Sequence, residues 1–299
     1  MSNWNYSLLE NRAVIAVAGE DGNDFLQGLV SNDISRVAPD RALYAALLTP
    51  QGKFLFDFFI TEIGGGLHLD CEAGRAEDLM KRLTMFRLRS KVSLARTDFT
   101  VAAAFGPDVH TAFGLAADPG AAAPLGGGAV YVDPRLTDMG VRLVLASEDD
   151  LQGLELTAAS TGAYDAWRLG HGLPDGSRDM DIDKSTLLEC SFEELHGVDF
   201  DKGCYMGQEL TARTKYRGLV KRRLYPVRIE GPLPKPGAAI TLDGADAGTI
   251  KSGAGDRAMA LLRLNSIEEA RTSGRPLTSG GATVIPIEPP WMQAPPPGS

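Results

Sequence analysis

Apolar residues along this chain recur in short runs with two spacings, and the spacing separates strands from helices. Ala13–Ala18 alternates and predicts a strand. Asp21–Val30 predicts a short helix, because Phe25, Leu26, Leu29 and Val30 fall on one side of it, and the turn-forming pair Asn32-Asp33 ends it. Leu43–Leu48 and Lys53–Ile60 predict two strands around the turn Thr49-Pro50-Gln51-Gly52. The stretch Phe54–Ile60 holds one acid, Asp57, among six apolar residues. An unpaired buried charge is costly, so Asp57 stands either at an exposed edge or inside for a purpose.

Leu67–Cys71 alternates as a strand, and Ala76–Leu88 has helical spacing through Leu79, Met80, Leu83 and Phe86. Val92–Ala95 and Phe99–Phe105 predict strands, Pro107 opens a short helix to Leu115, and the Ala/Pro/Gly-rich stretch 116–128 predicts a surface loop. Ala129–Val132 and Val141–Leu145 predict strands, and Thr161–Leu169 a helix. After Arg223 the character changes. Leu224–Ile229, Ala239–Leu242, Gly248–Lys251, Met259–Leu264 and Thr283–Ile287 predict short strands at the spacing of a small closed β-barrel. Pro289–Ser299 contains five prolines and predicts an extended tail, with Trp291 docking locally.

The densest chemistry lies in Lys202-Gly203-Cys204-Tyr205-Met206-Gly207-Gln208-Glu209, which runs on to Arg213. A thiol sits between two glycines, beside a lysine, at the expected start of a helix. Most cysteines are small buried apolar residues without chemistry. A helix N-terminus with Lys202 and Arg213 nearby favours thiolate over thiol, and Glu209 is placed to hold Arg213 by an ion pair four residues apart.

Composition narrows the options. The chain has 299 residues, enough for two or three domains, with 43% apolar and 23% charged residues, as expected of a globular protein. No apolar run is long enough to span a membrane, and MSNWNYSLLENRAV has neither a signal-peptide nor a transit-peptide pattern. Three cysteines, Cys71, Cys190 and Cys204, have no metal-site spacing; they fit a reducing compartment, and the expectation is cytoplasmic. The net charge of −9 disfavours a general nucleic-acid binder. Residues 202–228 nevertheless carry eight cations against Glu209 alone. That local excess, densest over Lys215–Arg223, suits an anionic partner such as a folate glutamate tail, a phosphate or a tRNA, or is a solvated face.

KGCYMGQELTAR (Lys202–Arg213) resembles the signature of YgfZ-type proteins, folate-binding relatives of the glycine-cleavage T-protein. The continuation Thr214–Val227 is similar to their mitochondrial iron–sulfur assembly branch. Phe25–Asp33, Leu47–Lys53, Asp133-Pro134-Arg135 and Gly172-Leu173-Pro174 resemble other blocks of that family, so the likeness runs from about Phe25 to about Arg263. It implies an α+β fold: a T-protein-like three-domain ring with a ferredoxin-like layer and a C-terminal small β-barrel. The expected domains are a discontinuous folate-binding α/β body over 1–42 and 134–223, an inserted ferredoxin-like layer over 43–133, a barrel over 224–288 and a Pro-rich tail over 289–299. The implied function is a folate-dependent accessory role in iron–sulfur cluster assembly or repair, with tetrahydrofolate as cofactor and iron–sulfur client or assembly proteins as partners.

The resemblance also assigns residues. Cys204, Lys202 and Asp57 are the expected catalytic set, and Asn32, Asp57, Tyr164, Arg168, Gln208, Glu209 and Arg213 the expected cofactor contacts. Two departures weaken the case for an aminomethyltransferase. The T-protein has a pair of acids where this chain has Phe56-Asp57, and a pterin-pairing glutamate where it has Gly170. An aminomethyltransferase, a tRNA-interacting protein and a folate-binding scaffold with an inert Cys204 stay open as alternatives.

Overall fold

The computed structural model describes residues 4–218 and 220–293; the end of the proline-rich tail lies outside them. Two compact units form. The first comprises Met1–Gln51, Leu55–Tyr164 and Leu195–Gln208, and the second Gly52–Phe54, Asp165–Glu194 and Glu209–Ser299.

Among the described residues, eleven strands precede residue 160: β1 (Asn5–Leu8), β2 (Arg12–Ala18), β3 (Leu43–Leu48), β4 (Phe54–Ile63), β5 (Gly66–Glu72), β6 (Ser93–Arg96), β7 (Thr100–Phe105), β8 (Ala122–Leu125), β9 (Gly128–Val132), β10 (Val141–Leu145) and β11 (Thr157–Ala158). They make a five-stranded sheet in the order β3-β4-β5-β2-β6 and a six-stranded sheet in the order β11-β1-β7-β10-β9-β8. Helices α1 (Gly22–Gln27) and α2 (Ala76–Arg87) cover the first sheet. Phe25 and Leu26 of α1 and Leu79 and Leu83 of α2 share one core with Ile15, Phe58, Ile60 and Leu69. A smaller core of Ala102, Ala104, Val130, Val141 and Leu143 underlies the second sheet. Strands from residues 1–42 and from 43–133 pair with one another in both sheets: β2 with β5 and β6, and β1 with β7. The division expected at residue 43 therefore runs through the sheets, because pairing partners are set by long-range register that local spacing does not encode.

β4 explains the placement of Asp57. Its first eight residues are all buried, as in a strand covered on both faces, so the acid is inside. β8 arises in the stretch expected to be a loop. Among the described residues its partner strand is β9, and an edge strand tolerates its Pro124.

In the second unit, β12 (Arg222–Glu230), β13 (Ala239–Leu242), β14 (Ala245–Ala254), β15 (Arg257–Arg263), β16 (Leu277–Ser279) and β17 (Ala282–Pro286) close into a barrel in the order β12-β15-β14-β13-β16-β17. Its interior is filled by Val227, Ile240, Ile250, Ala260, Leu262 and Val284. The remaining helices are α3 (Thr161–His171), α4 (Gly176–Asp179), α5 (Gln208–Arg217) and α6 (Leu264–Ser273). The indole of Trp291 donates to the carbonyl of His171 at 2.8 Å, the local docking expected of it. No helix among the described residues is long and apolar enough to cross a membrane.

Gly128 opens β9 where the neighbouring strand leaves no room: a Cβ there would lie 1.8 Å from the Val144 carbonyl oxygen. We expect Gly128→Ala to destabilise the fold by about 1–3 kcal/mol in denaturant unfolding, through overpacking. Gly74→Ala, with nothing within 4 Å, is the matched control and should change stability little.

Candidate functional site

Residues 195–208 lie in the first unit as an irregular strap along the chain that follows α1. Ser31 Oγ donates to the Gly197 carbonyl at 2.6 Å, and Asn32 Nδ2 to the carbonyls of His196 (2.7 Å) and Tyr44 (2.8 Å). The Asp199 amide donates to the Ser31 carbonyl at 3.0 Å. Further along, the Met206 amide donates to the Gly28 carbonyl at 3.2 Å, and the Met206 side chain packs on the α1–α2 core.

Lys202 is the deepest fastening. Its ammonium donates to the carbonyls of Gln27 (2.8 Å), Val30 (2.7 Å) and Asn32 (2.6 Å) and is buried. These are carbonyls at and just beyond the end of α1, where an amino group satisfies oxygens the helix leaves open. Burial pulls the Lys202 pKa down to about 8, against the opposing pull of Asp33 and Asp199. The Tyr205 ring lies 5.2 Å from the ammonium.

Between the fastenings at Lys202 and Met206 sits Cys204, which is exposed, whereas Cys71 and Cys190 are buried. Burial pushes the Cys71 thiol up to about 12 and raises that of Cys190 as well. Two expectations about Cys204 need correction. The helix starts at Gln208, not at the cysteine, because Gly207 has φ +85°, outside the helical region, so the sulfur lies beyond the first turn where the dipole acts. Lys202 spends its ammonium on backbone oxygens rather than on the sulfur.

The expected cofactor contacts separate into engaged and exposed groups. Asn32 is engaged: besides its two donated bonds, its Oδ1 accepts from the Asp33 amide at 2.9 Å. Arg168, in the second unit, is also engaged. Its guanidinium bonds Asp165 (2.7 Å), Asp179 (3.0 Å), the Leu173 carbonyl and Ser252 Oγ (2.9 Å), tying α3 to α4 and β14. Glu209 and Arg213 are exposed, and among the described residues no ion pair joins them. Gln208 opens α5, its amide donating to the Tyr205 carbonyl. Gly170 is exposed, with open space where a side chain would project.

Asp57 and Tyr164 belong to a charged interior in the first unit. Tyr44 donates its hydroxyl to Asp57 Oδ2 at 2.9 Å, and burial together with Asp57 raises the Tyr44 pKa well above its ordinary value. Asp70 accepts from two guanidiniums: Arg12 Nε at 2.7 Å on one oxygen, Arg142 at 2.5 and 3.0 Å on the other. Arg142 also reaches the Tyr164 hydroxyl at 3.3 Å. Burial alone would raise the Asp70 pKa, but the two arginines outweigh it and hold it below the usual range. Arg135 grips Asp133 with two nitrogens, at 3.0 and 2.8 Å. The guanidiniums of Arg12, Arg135 and Arg142 stand 5.7, 4.9 and 4.0 Å from the centre of the Phe59 ring. Sequence reading noticed Asp133-Pro134-Arg135 but not Arg12, Asp70 or Arg142. The available signal was the one that marked Asp57, a lone charge inside an apolar strand.

Four cations of the basic stretch after Cys204 pair with acids outside it. In the second unit Lys215 pairs with Glu193 (2.6 Å), Arg222 with Glu189 (3.9 Å), the buried Arg223 with Glu194, and Arg228 with Glu230 (2.7 Å).

Comparison with known proteins fits this geometry. A family model described as the CAF17 C-terminal β-barrel domain matches residues 221–294, the barrel. The mitochondrial iron–sulfur cluster assembly factor IBA57 of Mus musculus is 32% identical over 292 residues, covering 89% of this chain and 79% of that protein. The Homo sapiens protein of the same name is 34% identical over 281 residues, covering 87% and 77%. The chain belongs to the IBA57 family. The crystal structure of the glycine cleavage system aminomethyltransferase T from Bartonella henselae superposes with TM-score 0.78 at 16% identity, over 97% of this chain and 87% of that one. The fold is thus T-protein-like α+β with a closed C-terminal barrel.

Lys202→Met leaves three buried carbonyls without their donor. We expect it to cost about 2–4 kcal/mol in denaturant unfolding. Because the folded state releases the Lys202 proton near pH 8 and the unfolded chain near 10.5, the unfolded chain binds more protons between those values. Wild-type stability, measured relative to Lys202→Met, should therefore rise with pH across that window. A flat difference contradicts the buried-ammonium reading.

Proposed function

We propose that this chain is an accessory factor of iron–sulfur cluster assembly or repair, of the YgfZ-type, with Cys204 as its reactive thiol and tetrahydrofolate as its cofactor. The observation that carries the reading is the display of one cysteine: Cys204 is exposed between two anchored residues while the other two thiols are sealed. The relatives' names, iron–sulfur cluster assembly factors, supply the chemistry that such a thiol serves. The Cys204 sulfur acts on a client cluster by coordinating one of its irons in exchange for the ligand held there. Lys202 serves this role by seating the strap.

The cofactor fits only part of the expected contact set. Asp57 is the acid we assign to the pteridine, with Tyr44 fixing one of its carboxylate oxygens. Asn32 and Arg168 contribute structure instead, their polar atoms being spent within the protein. Bound tetrahydrofolate would supply one-carbon or redox chemistry. The lack of an acid at Gly170 disfavours the aminomethyltransferase alternative. The tRNA alternative is weakened by ion pairs at four of the eight cations of the basic stretch. The compartment on this reading is a reducing one, whether the cytoplasm expected from composition or the mitochondrion named for the relatives.

In cells lacking their own copy, Cys204→Ala and Cys204→Ser should restore less than about a fifth of the cluster-enzyme activity restored by wild type. Both should fold normally, since an exposed substitution changes stability by no more than about 0.5 kcal/mol. Full recovery with both variants removes the sulfur from the mechanism.

In a fluorescence titration, Asp57→Asn should weaken tetrahydrofolate binding about tenfold or more, the loss of one charge-assisted contact. Unchanged affinity removes Asp57 from the site, and no binding by wild type removes the cofactor.

A further inference from the structure

Residues 80–96, in the first unit, form the second half of α2, a loop and β6. They carry Lys81, Arg82, Arg87, Arg89, Lys91 and Arg96 and no acid, on a chain whose net charge is −9. Among the described residues, ion pairs reach only Lys81, through Asp78 at 3.5 Å, and Lys91, through Glu20 at 2.7 Å. Arg82, Arg87, Arg89 and Arg96 take none.

The same stretch exposes apolar surface. Leu88 is 89% exposed and Met85 67% exposed. Leu88 follows the last residue of α2 with φ +43°, a conformation that favours glycine. A leucine here bears the strain and buries nothing within its own chain, and such strain marks positions kept for function. The loop around it is held in place. The Lys91 amide donates to Asp21 at 2.7 Å, and Gly19 approaches so closely that a Cβ there would lie 2.0 Å from the Lys91 carbonyl oxygen. Leu88 lines an open groove of about 420 Å³ together with Gly19, Arg87, Arg89 and Lys91.

We propose that this face is a docking surface for an acidic protein partner. Leu88 and Met85 insert into an apolar pocket of the partner, and the arginines pair with carboxylates around it. Methionine and arginine are enriched at protein–protein interfaces, and arginine among the residues that carry their binding energy. A nucleic acid has no pocket for leucine and methionine, and the stretch exposes no aromatic ring for base stacking. The proposal does not depend on Cys204 or on folate.

The test uses two fluorescein-labelled 12-residue peptides, one of glutamates around a central Leu-Phe pair and one of glutamates alone, in fluorescence polarisation. Wild type should bind the first with micromolar affinity and the second at least about tenfold more weakly, with both weakened by added salt. Leu88→Gly and the Arg87→Glu/Arg89→Glu pair should each weaken the first peptide by about tenfold or more. Leu88→Gly should melt no lower than wild type, since glycine suits the backbone there. Four results overturn the proposal: equal binding of the two peptides, wild-type binding by Leu88→Gly, tighter binding to an RNA hairpin or to phosphatidylcholine–phosphatidylserine vesicles than to the first peptide, or self-association that Leu88→Gly abolishes.

Discussion

An ammonium ion set among three backbone carbonyls governs how this chain presents its sulfur. Lys202 reaches Gln27, Val30 and Asn32 with one compact group, and each of its three N–H bonds has a defined acceptor. A planar guanidinium could not point three donors at oxygens converging from one turn of backbone. Charge is costly to bury, and the lowered pKa of Lys202 records that cost. What the burial achieves is a strap with little freedom on either side of Cys204, so the thiol stands out from a rigid base.

The interior of the first unit depends on the same kind of balance with signs on both sides. Arg12, Arg135 and Arg142 meet Asp57, Asp70 and Asp133 in a region that holds Phe59 at its centre. Removing one member of such a set leaves its partner charged and dry, which costs more than the pair contributes. Asp57 is therefore both a candidate ligand contact and a member of a structural network. The second unit repeats the device with Arg168, whose five polar contacts join helix, loop and barrel.

Much of this architecture was legible in residue order, because period and turn chemistry act locally. Ala239–Leu242 and Val141–Leu145 appear with the expected ends, and α2 differs from its expected span by one residue. Asp243-Gly244 turns the chain between β13 and β14 as its composition implies. Elements made by partners rather than by pattern were not legible: β8 leans on β9, β16 is three residues long, and α6 is mostly polar. The site divides the same way. That Asp57 is a lone charge in an apolar strand was plain from neighbouring residues alone. The duties of Lys202 and Asn32 were not, because partners of theirs lie more than 160 residues away in the chain. The ion pairs of the basic stretch were hidden likewise: the glutamates facing Lys215, Arg222 and Arg223 come from residues 189–194, before the motif begins.

The uneven burial of the three thiols has a practical side. With two sulfurs enclosed and one at the surface, a soluble maleimide or nitroxide should attach at a single stoichiometric position without prior removal of Cys71 or Cys190. The native polypeptide thus brings its own spectroscopic handle, seated on the strap between Lys202 and Met206.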